Sequence, residues 1–190
     1  MKTVLADASS LILLFRVGLF PALISFFRTV LAESVYGEVT VKGYPGAELF
    51  EKACADGHLL VRSTGLDSAV RFPELLMPSQ AVKHGEGDTI RLWLAGEGDF
   101  LLMDDYKGAV FCRNHGIPYI SAILFPRILR LTGHFSPDEC AEKTDQIVRN
   151  GRYSKKIIAY ARNCPDGALL FFSGEPAEKS ALHLTVPNQA

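Results

Sequence analysis

Short apolar segments alternate along this 190-residue chain with segments of helical periodicity, and this alternation restricts the fold more than any other feature. The apolar segments have the length of buried strands: Thr3–Ala6, Thr29–Leu31, His58–Arg62, Phe100–Met103 and Ile117–Ile120. A helix is predicted after each of the first two, at Ala8–Val17 and about Glu33–Val41. Strands that alternate with helices pack as a parallel sheet covered on both faces. The sequence therefore predicts an α/β fold.

The alternation ends after Ile117–Ile120, and the rest of the chain has a different pattern. Helices are expected there at Ala122–Leu131, Pro137–Asn150 and Ser154–Arg162. Ala168–Ser173 is read as a strand, and the residues after it look frayed. Gly65–Lys83, which contains two prolines, is predicted to be a loop. We expect a core at residues 1–132 and a helical extension at residues 133–190 that packs on the same domain.

Composition and charge exclude several classes of protein. Hydrophobic residues make up 48% of the chain, which excludes a disordered or fibrous protein. Lys plus Arg total 20 and Asp plus Glu total 21, so affinity for nucleic acid must come from a local basic patch. The apolar stretch Leu11–Leu31 is interrupted by Arg16, Pro21 and Arg28. We expect a soluble cytoplasmic protein that does not contact a membrane.

Carboxylates follow two of the predicted strands at the points where helices begin. Asp7 comes directly after Thr3–Ala6, and Asp104 and Asp105 come directly after Phe100–Met103. Ligands of open α/β sheets bind outside the carboxyl ends of the strands. We therefore expect these acids to meet at one pocket.

Helical geometry adds two glutamates to this set. At about 100° per residue, Glu86 lies on the same side of its helix as Ile90, whereas Asp88 lies about 200° away from Glu86. Glu38 lies about 60° from the apolar residue Val35 by the same count. Glu38 and Glu86 are therefore predicted to point towards the pocket, and Asp88 away from it.

A pocket lined by several carboxylates requires positive charge. Two carboxylates about 4 Å apart repel by about 1 kcal/mol in water and by about 4 kcal/mol at an effective dielectric constant of 20. Taken singly, Asp7 and Asp105 are also explained as helix caps, and Glu38 and Glu86 as solvated helix residues. The chain has no C-x-x-C pair and no His pair at i, i+4 spacing, which disfavours zinc. Mg²⁺ or Mn²⁺, which prefer oxygen ligands, are the expected metals.

The ordered set of motifs between about Lys2 and Leu131 resembles the PIN domain family, and within it the VapC-like branch. The motifs are DASSLI after the first strand, SVYGEV, HGEGDTIRLWLA, and LLMDD followed by a helix and NHGIPYI. The resemblance implies a three-layer α/β/α sandwich with a mainly parallel central sheet, here with extra C-terminal helices. One departure is that the branch usually has an arginine soon after its DD or DE pair, where this chain has Lys107 and then Ala109.

The resemblance also implies an activity and a set of site residues. The metal-binding acids of the family match Asp7, Glu38, Glu86, Asp104 and Asp105. Ser9 matches the small polar residue that supports the first acid, and which of the two adjacent aspartates binds the metal directly stays open. One or two Mg²⁺ or Mn²⁺ ions would activate water for hydrolysis of an RNA phosphodiester bond.

The resemblance further implies partners. A toxin ribonuclease would have RNA as its substrate and an antitoxin protein that occupies the pocket, and homodimers are common in the family. The alternative is a non-catalytic PIN-like interaction or scaffold module.

RNA binding requires cations close to the pocket. The densest basic run consists of Arg149, Arg152, Lys155, Lys156 and Arg162, and it includes Tyr153, which is able to stack on a base. The same run is typical of a solvated helix face, so both interpretations stay open. Nearer to the motifs along the chain are Arg16, Lys42, Lys83 and Lys107.

Overall fold

The computed structural model describes residues 1–64 and 84–173. Its sheet is entirely parallel, with the strand order β3-β2-β1-β4-β5. Helices cover it, which confirms the predicted three-layer α/β/α fold. The strands are β1 (Thr3–Ala6), β2 (Arg28–Ala32), β3 (Leu59–Arg62), β4 (Phe100–Leu102) and β5 (Tyr119–Ile120).

Helices connect the strands and continue after the last of them. In chain order they are α1 (Ala8–Arg16), α2 (Phe20–Phe26), α3 (Glu33–Val39), α4 (Ala47–Ala55), α5 (His84–Leu94), α6 (Tyr106–Asn114), α7 (Phe125–Leu131), α8 (Pro137–Asn150), α9 (Lys155–Asn163) and α10 (Leu170–Ser173). Short 3₁₀ turns occupy Ala122–Leu124 and Asp166–Leu169.

The strand predicted at Ala168–Ser173 is wrong, because the segment ends a 3₁₀ turn and then forms α10. Leu169 and Phe172 are both buried, and their i, i+3 spacing is that of one helical face. The predicted loop at Gly65–Lys83 lies outside the described residues, and so do the residues after Ser173.

The strand order reverses between β1 and β4. From β1 the chain moves to β2 and then to β3, after which it crosses the sheet to β4 and β5. Crossovers between parallel strands are right-handed, so movement in opposite directions places the connecting helices on opposite faces. The connections after β1 and after β4 therefore leave the sheet on different sides. A crevice forms between them at the carboxyl ends of these two neighbouring strands.

Both faces of the central strands are buried. Val4–Ala6 of β1 and Phe100–Leu102 of β4 are at most 1% exposed, as expected of strands covered by helices on either side. The ring of Phe100 packs edge-on against Phe27 and Phe172, at centroid distances of 5.6 and 5.1 Å. Because Phe172 belongs to α10, the end of the described chain shares the core of the sheet.

The helices after residue 132 pack on the rest of the domain. α8 contacts α1 and α7, and Lys143 Nζ donates a hydrogen bond to the carbonyl oxygen of Val17 at 2.8 Å. A capping box starts α8, with Ser136 N bonded to Glu139 Oε2 at 2.8 Å and Glu139 N bonded to Ser136 Oγ at 3.2 Å. α8 is therefore held beside α1.

Of the helices in the described ranges, none is by itself long and apolar enough to cross a membrane. α1 and α2 pass that test only as a pair, and the pair is bent by 117°.

Gly98 marks a point where the chain passes close over β1. An ideal Cβ on Gly98 would lie 2.6 Å from Cγ of Leu5, which is fully buried. We expect Gly98→Ala to lower the free energy of unfolding by about 1–3 kcal/mol, because the core has no room for the added methyl group. Urea denaturation of the wild type and of Gly98→Ala measures this difference in the free energy of unfolding.

Gly37→Ala is the matched control for this substitution. Gly37 lies within α3, and a Cβ built on it meets no atom within 4 Å. Its replacement is expected to raise the free energy of unfolding by about 0.5–1 kcal/mol, since alanine favours the helix. If Gly98→Ala had the same effect as Gly37→Ala, the close packing on Leu5 would be contradicted.

Candidate functional site

Asp7 lies directly after β1 and is 1% exposed. It caps α1, because the backbone N–H of Ser10 donates to its Oδ1 at 2.7 Å. Its Oδ2 accepts a hydrogen bond from Ser9 Oγ at 2.9 Å. Oδ2 also accepts from the backbone N–H groups of Asp104 and Asp105, at 3.2 and 3.5 Å. One carboxylate therefore holds the start of α1 and the end of β4 together.

Asp104 lies beside Asp7, and other elements hold its carboxyl group. The hydroxyl groups of Ser121 and Tyr153 donate to Oδ1, the latter at 2.8 Å, and Ala122 N lies 3.2 Å from both oxygens. Burial and, second, the nearby carboxylate of Asp7 raise the pKa of Asp104 to about 6, although hydroxyl hydrogen bonds oppose the rise. Negative charge at this position is therefore costly.

The carboxyl group of Asp7 is buried beside that of Asp104, which is partly exposed. Burial also raises the pKa of Asp7, and its hydrogen bonds with Ser10, Ser9 and Asp104 N oppose that rise. Most donors to Asp7 are backbone N–H groups, which can only donate, whereas Ser121 and Tyr153 reach Asp104 through hydroxyl groups that can also accept. The donors therefore favour the ionised form of Asp7 more strongly than that of Asp104.

A cavity of about 550 Å³ opens beside this pair, and carboxylates from separate elements line it: Glu38 of α3, Glu86 of α5, and Asp104 and Asp105 after β4. Ser9 also lines it, whereas Asp7 lies behind the wall, bonded to Ser9 and to the backbone of the two aspartates. An ideal Cβ on Gly85 would lie 3.4 Å from Glu38 Oε2, so α3 and α5 approach closely here. The structure thus brings together the acids that the sequence singled out.

Asp88 lies outside the cavity, as helical geometry predicted. It accepts a hydrogen bond from Ser34 Oγ at 2.6 Å and forms an ion pair with Arg91 at 2.5 Å. α5 therefore presents Glu86 to the cavity and uses Asp88 to contact α3.

The donor set has the chemistry of a site for a hard divalent cation, since the candidate ligands are carboxylate oxygens. Ser10 Oγ is also buried between these acids. It makes no hydrogen bond of ordinary length to a described residue, although it lies near enough to Asp7 and Asp104 to lower the pKa of both.

The carboxylate side chains that line the cavity do not form a complete coordination shell for a metal ion. In residues 1–64 and 84–173, no group of three or more His, Cys, Asp and Glu side chains is placed to hold a metal ion. Glu38 is exposed and lines the same cavity as Asp104. Binding of an ion therefore requires rotation of carboxylate side chains.

Sequence reasoning missed the residues that orient Asp104. Tyr153, considered there for stacking on a base, donates its hydroxyl hydrogen bond to Asp104 instead. Its ring packs over Gly151, where an ideal Cβ would lie 2.4 Å from Cε2 of the ring. Ser121 directly follows β5, so the rule that identified Asp7 after β1 could have identified it too. No comparable signal marks Tyr153.

A comparison with models of protein families gave a match over most of the chain. The model of the DUF3368 family, described as a PIN domain, matches residues 3–158. The match continues past residue 132 and includes Gly151 and Tyr153. Neither the curated proteins nor the solved structures gave a significant match.

Proposed function

This chain belongs to the PIN domain family, whose members are generally nucleases that use divalent metal ions, and we propose that it is an endoribonuclease dependent on Mg²⁺ or Mn²⁺. The observation that carries the proposal is the convergence of Glu38, Glu86, Asp104 and Asp105 on one cavity. That cavity lies where the strand order reverses, which is the place where open α/β sheets bind ligands.

In this proposal Asp104 is the central metal ligand. Burial and the charge of Asp7 raise its pKa, so a cation beside it relieves an existing repulsion. Asp105 uses its Oδ1 to cap α6, accepting a hydrogen bond from Gly108 N at 2.9 Å, and is therefore the weaker candidate for direct binding. Glu38 and Glu86 complete the ligand set from α3 and α5.

The other residues position these ligands. Asp7 holds the backbone of Asp104 and Asp105 through their N–H groups. Ser121 and Tyr153 fix the orientation of the Asp104 carboxyl group. The chemistry that a bound divalent ion supplies here is activation of a water molecule and neutralisation of charge on the phosphate.

The finer role proposed is that of a toxin in a toxin–antitoxin pair. The order of the motifs supports the VapC-like branch, as does the DD pair after β4. A cavity lined by carboxylates is also suited to receive a basic side chain of an antitoxin. A homodimer and a cytoplasmic location belong to the same proposal.

A non-catalytic scaffold module is the second candidate function. It is favoured by one observation: within the described part of the chain, no three carboxylates are placed so that they could bind one metal ion. A scaffold would keep the fold and the cavity without cleaving RNA.

The test of the proposed function is cleavage of end-labelled RNA, both single-stranded and structured, by purified protein. We expect cleavage with Mg²⁺ or Mn²⁺ and none with EDTA. Glu86→Gln is expected to reduce the rate by about 10- to 100-fold, because it removes a ligand charge from the cavity. Asp88→Asn, on the same helix but outside the cavity, is the control and should retain cleavage.

Two results would contradict this proposal. Equal cleavage by Glu86→Gln and by the wild type would show that the assigned cavity is not the active site. Absence of cleavage of every RNA by folded protein with either metal would favour the scaffold instead.

A further inference from the structure

One exposed face of α1 forms a wall of the cavity that extends away from the carboxylates. Ser9, Ile12 and Arg16 have i, i+3, i+7 spacing and all line the cavity. With a rise of 1.5 Å per residue, Arg16 is anchored about 10 Å from Ser9 along the helix axis. The lining therefore changes from acidic at the start of α1 to apolar at Ile12 and basic at Arg16.

The connection between α8 and α9 forms another wall of the same cavity. Gly151, Arg152 and Tyr153 line it, and the hydrogen bond from Tyr153 to Asp104 holds this connection at the acidic end. Arg152 is exposed. A second cation thus faces the cavity on a segment that is fixed to the carboxylate pair.

Arg16 and Arg152 line the cavity, and unlike several other arginines they form no ion pair within the described part of the chain. Arg127 and Arg130 pair with Asp166, and Arg162 pairs with Asp145. Arg16 and Arg152 form no ion pair with any described residue, although they line a cavity that contains carboxylates. Their charges are therefore available to an anion, and the carboxylates are not neutralised by them.

We infer that Arg16 and Arg152 bind phosphates of the RNA strand beside the scissile bond, so that the strand follows α1 from the carboxylates to Arg16. The inference rests on the proposed ribonuclease function. A stacked strand rises about 3.4 Å per nucleotide, so a phosphate at Arg16 lies up to about three nucleotides from the one that is cleaved. Ile12 lies between them and offers apolar contact to a base or ribose.

Affinity for single-stranded RNA as a function of salt tests this inference. All proteins carry Glu86→Gln, so that RNA is bound in Mg²⁺ with little cleavage, and fluorescence anisotropy gives the Kd between 50 and 300 mM NaCl. A phosphate contact contributes about 0.7 to the slope of log Kd against log salt. Arg16→Gln and Arg152→Gln are each expected to lower the slope by about 0.7 and to weaken binding about 5-fold at 0.1 M salt.

Arg149→Gln is the matched control, because it removes the same charge. Arg149 is exposed in the last turn of α8 but does not line the cavity. The slope of log Kd against log salt for Arg149→Gln should stay close to that of the parent protein, which carries only Glu86→Gln. All three arginines are exposed, so each change should alter the free energy of unfolding by less than about 0.5 kcal/mol, which thermal unfolding checks.

RNA length gives an independent readout. The RNA is shortened one nucleotide at a time from each end, and the effect of Arg16→Gln on the Kd is measured for each length. The effect should disappear when nucleotides are removed from one end only, because that end of the strand then no longer reaches α1. If shortening from either end removed the effect of Arg16→Gln equally, the proposed path of the strand along α1 would be overturned.

Failure of the inference is distinguishable from failure of the proposed function. If the wild type cleaves RNA with metal but Arg16→Gln and Arg152→Gln have the slope of Arg149→Gln, the path along α1 is wrong and the ribonuclease stands. If the wild type neither binds nor cleaves RNA, both are wrong.

Discussion

Asp104→Asn is expected to reduce RNA cleavage with Mg²⁺ or Mn²⁺ by about 100- to 1,000-fold without unfolding the protein. The substitution removes the charge of the proposed central ligand. An amide keeps one oxygen to accept from Ala122 N, and the hydroxyl groups of Ser121 and Tyr153 can turn to accept from its NH₂ group. The loss of activity is therefore expected in a folded protein.

The same substitution is expected to stabilise the protein in the absence of metal above pH 6. The pKa of Asp104 is raised from 3.8 to about 6 in the folded state, so the folded state binds more protons than the unfolded state between these values. The free energy of unfolding of the wild type therefore falls as the pH rises from about 4 to about 6. Asparagine has no such charge, and at pH 8 the gain is on the order of 1–3 kcal/mol.

Thermal unfolding in EDTA at pH 5 and pH 8 measures this gain, and RNA cleavage measures the activity. Added Mg²⁺ should raise the Tm of the wild type more than that of Asp104→Asn, because a metal that binds only the folded state stabilises it. Asp105→Asn is the comparison, since asparagine also caps a helix and α6 is retained. A larger loss of cleavage for Asp105→Asn than for Asp104→Asn would assign direct metal binding to Asp105.

Asp7→Asn is expected to have the opposite effect on stability and to lower the free energy of unfolding by about 2–4 kcal/mol. Oδ1 accepts from Ser10 N, and Oδ2 accepts from Ser9 Oγ and from the N–H groups of Asp104 and Asp105. An NH₂ group in either position faces at least one buried N–H donor that cannot turn. Relief of the buried charge offsets only part of this cost.

Urea denaturation at pH 7 without metal compares Asp7→Asn with Asp104→Asn, two isosteric changes in neighbouring carboxyl groups. Cleavage should also fall for Asp7→Asn, because the backbone that presents Asp104 and Asp105 loses its anchor. An unchanged free energy of unfolding would contradict the role given to the four donors of Asp7.

Much of the sheet could be predicted because its signals are local. Each central strand is a short apolar run that ends where a helix begins, as in Thr3–Ala6 before Asp7. The crossing of the chain from β3 to β4 is not predictable from alternation, since it depends on packing between distant segments. The apolar run at Ala168–Ser173 fits a strand and a short helix equally well by pattern, and burial of Leu169 and Phe172 in the core selects the helix.

Some residues of the candidate site are also predictable from local signals, whereas others depend on tertiary packing. Position after a strand identifies Asp7, Asp104 and Asp105, and the helical repeat identifies Glu38 and Glu86, because both rules need only nearby residues. The hydrogen bond from Tyr153 to Asp104 joins residues 49 positions apart and depends on how α8 packs against α1. No periodicity in the sequence predicts such a contact.

The hydrogen bond between Tyr153 and Asp104 also determines when a growing chain can complete its site. Ribosomes add about 5–20 residues per second, so Asp104 is made about 2–10 seconds before Tyr153, which follows it by 49 residues. During that interval the nascent chain contains all the acids but lacks the segment that orients Asp104 and supplies Arg152. Until Tyr153 is made, the carboxyl group of Asp104 therefore lacks one of the two hydroxyl donors that orient it.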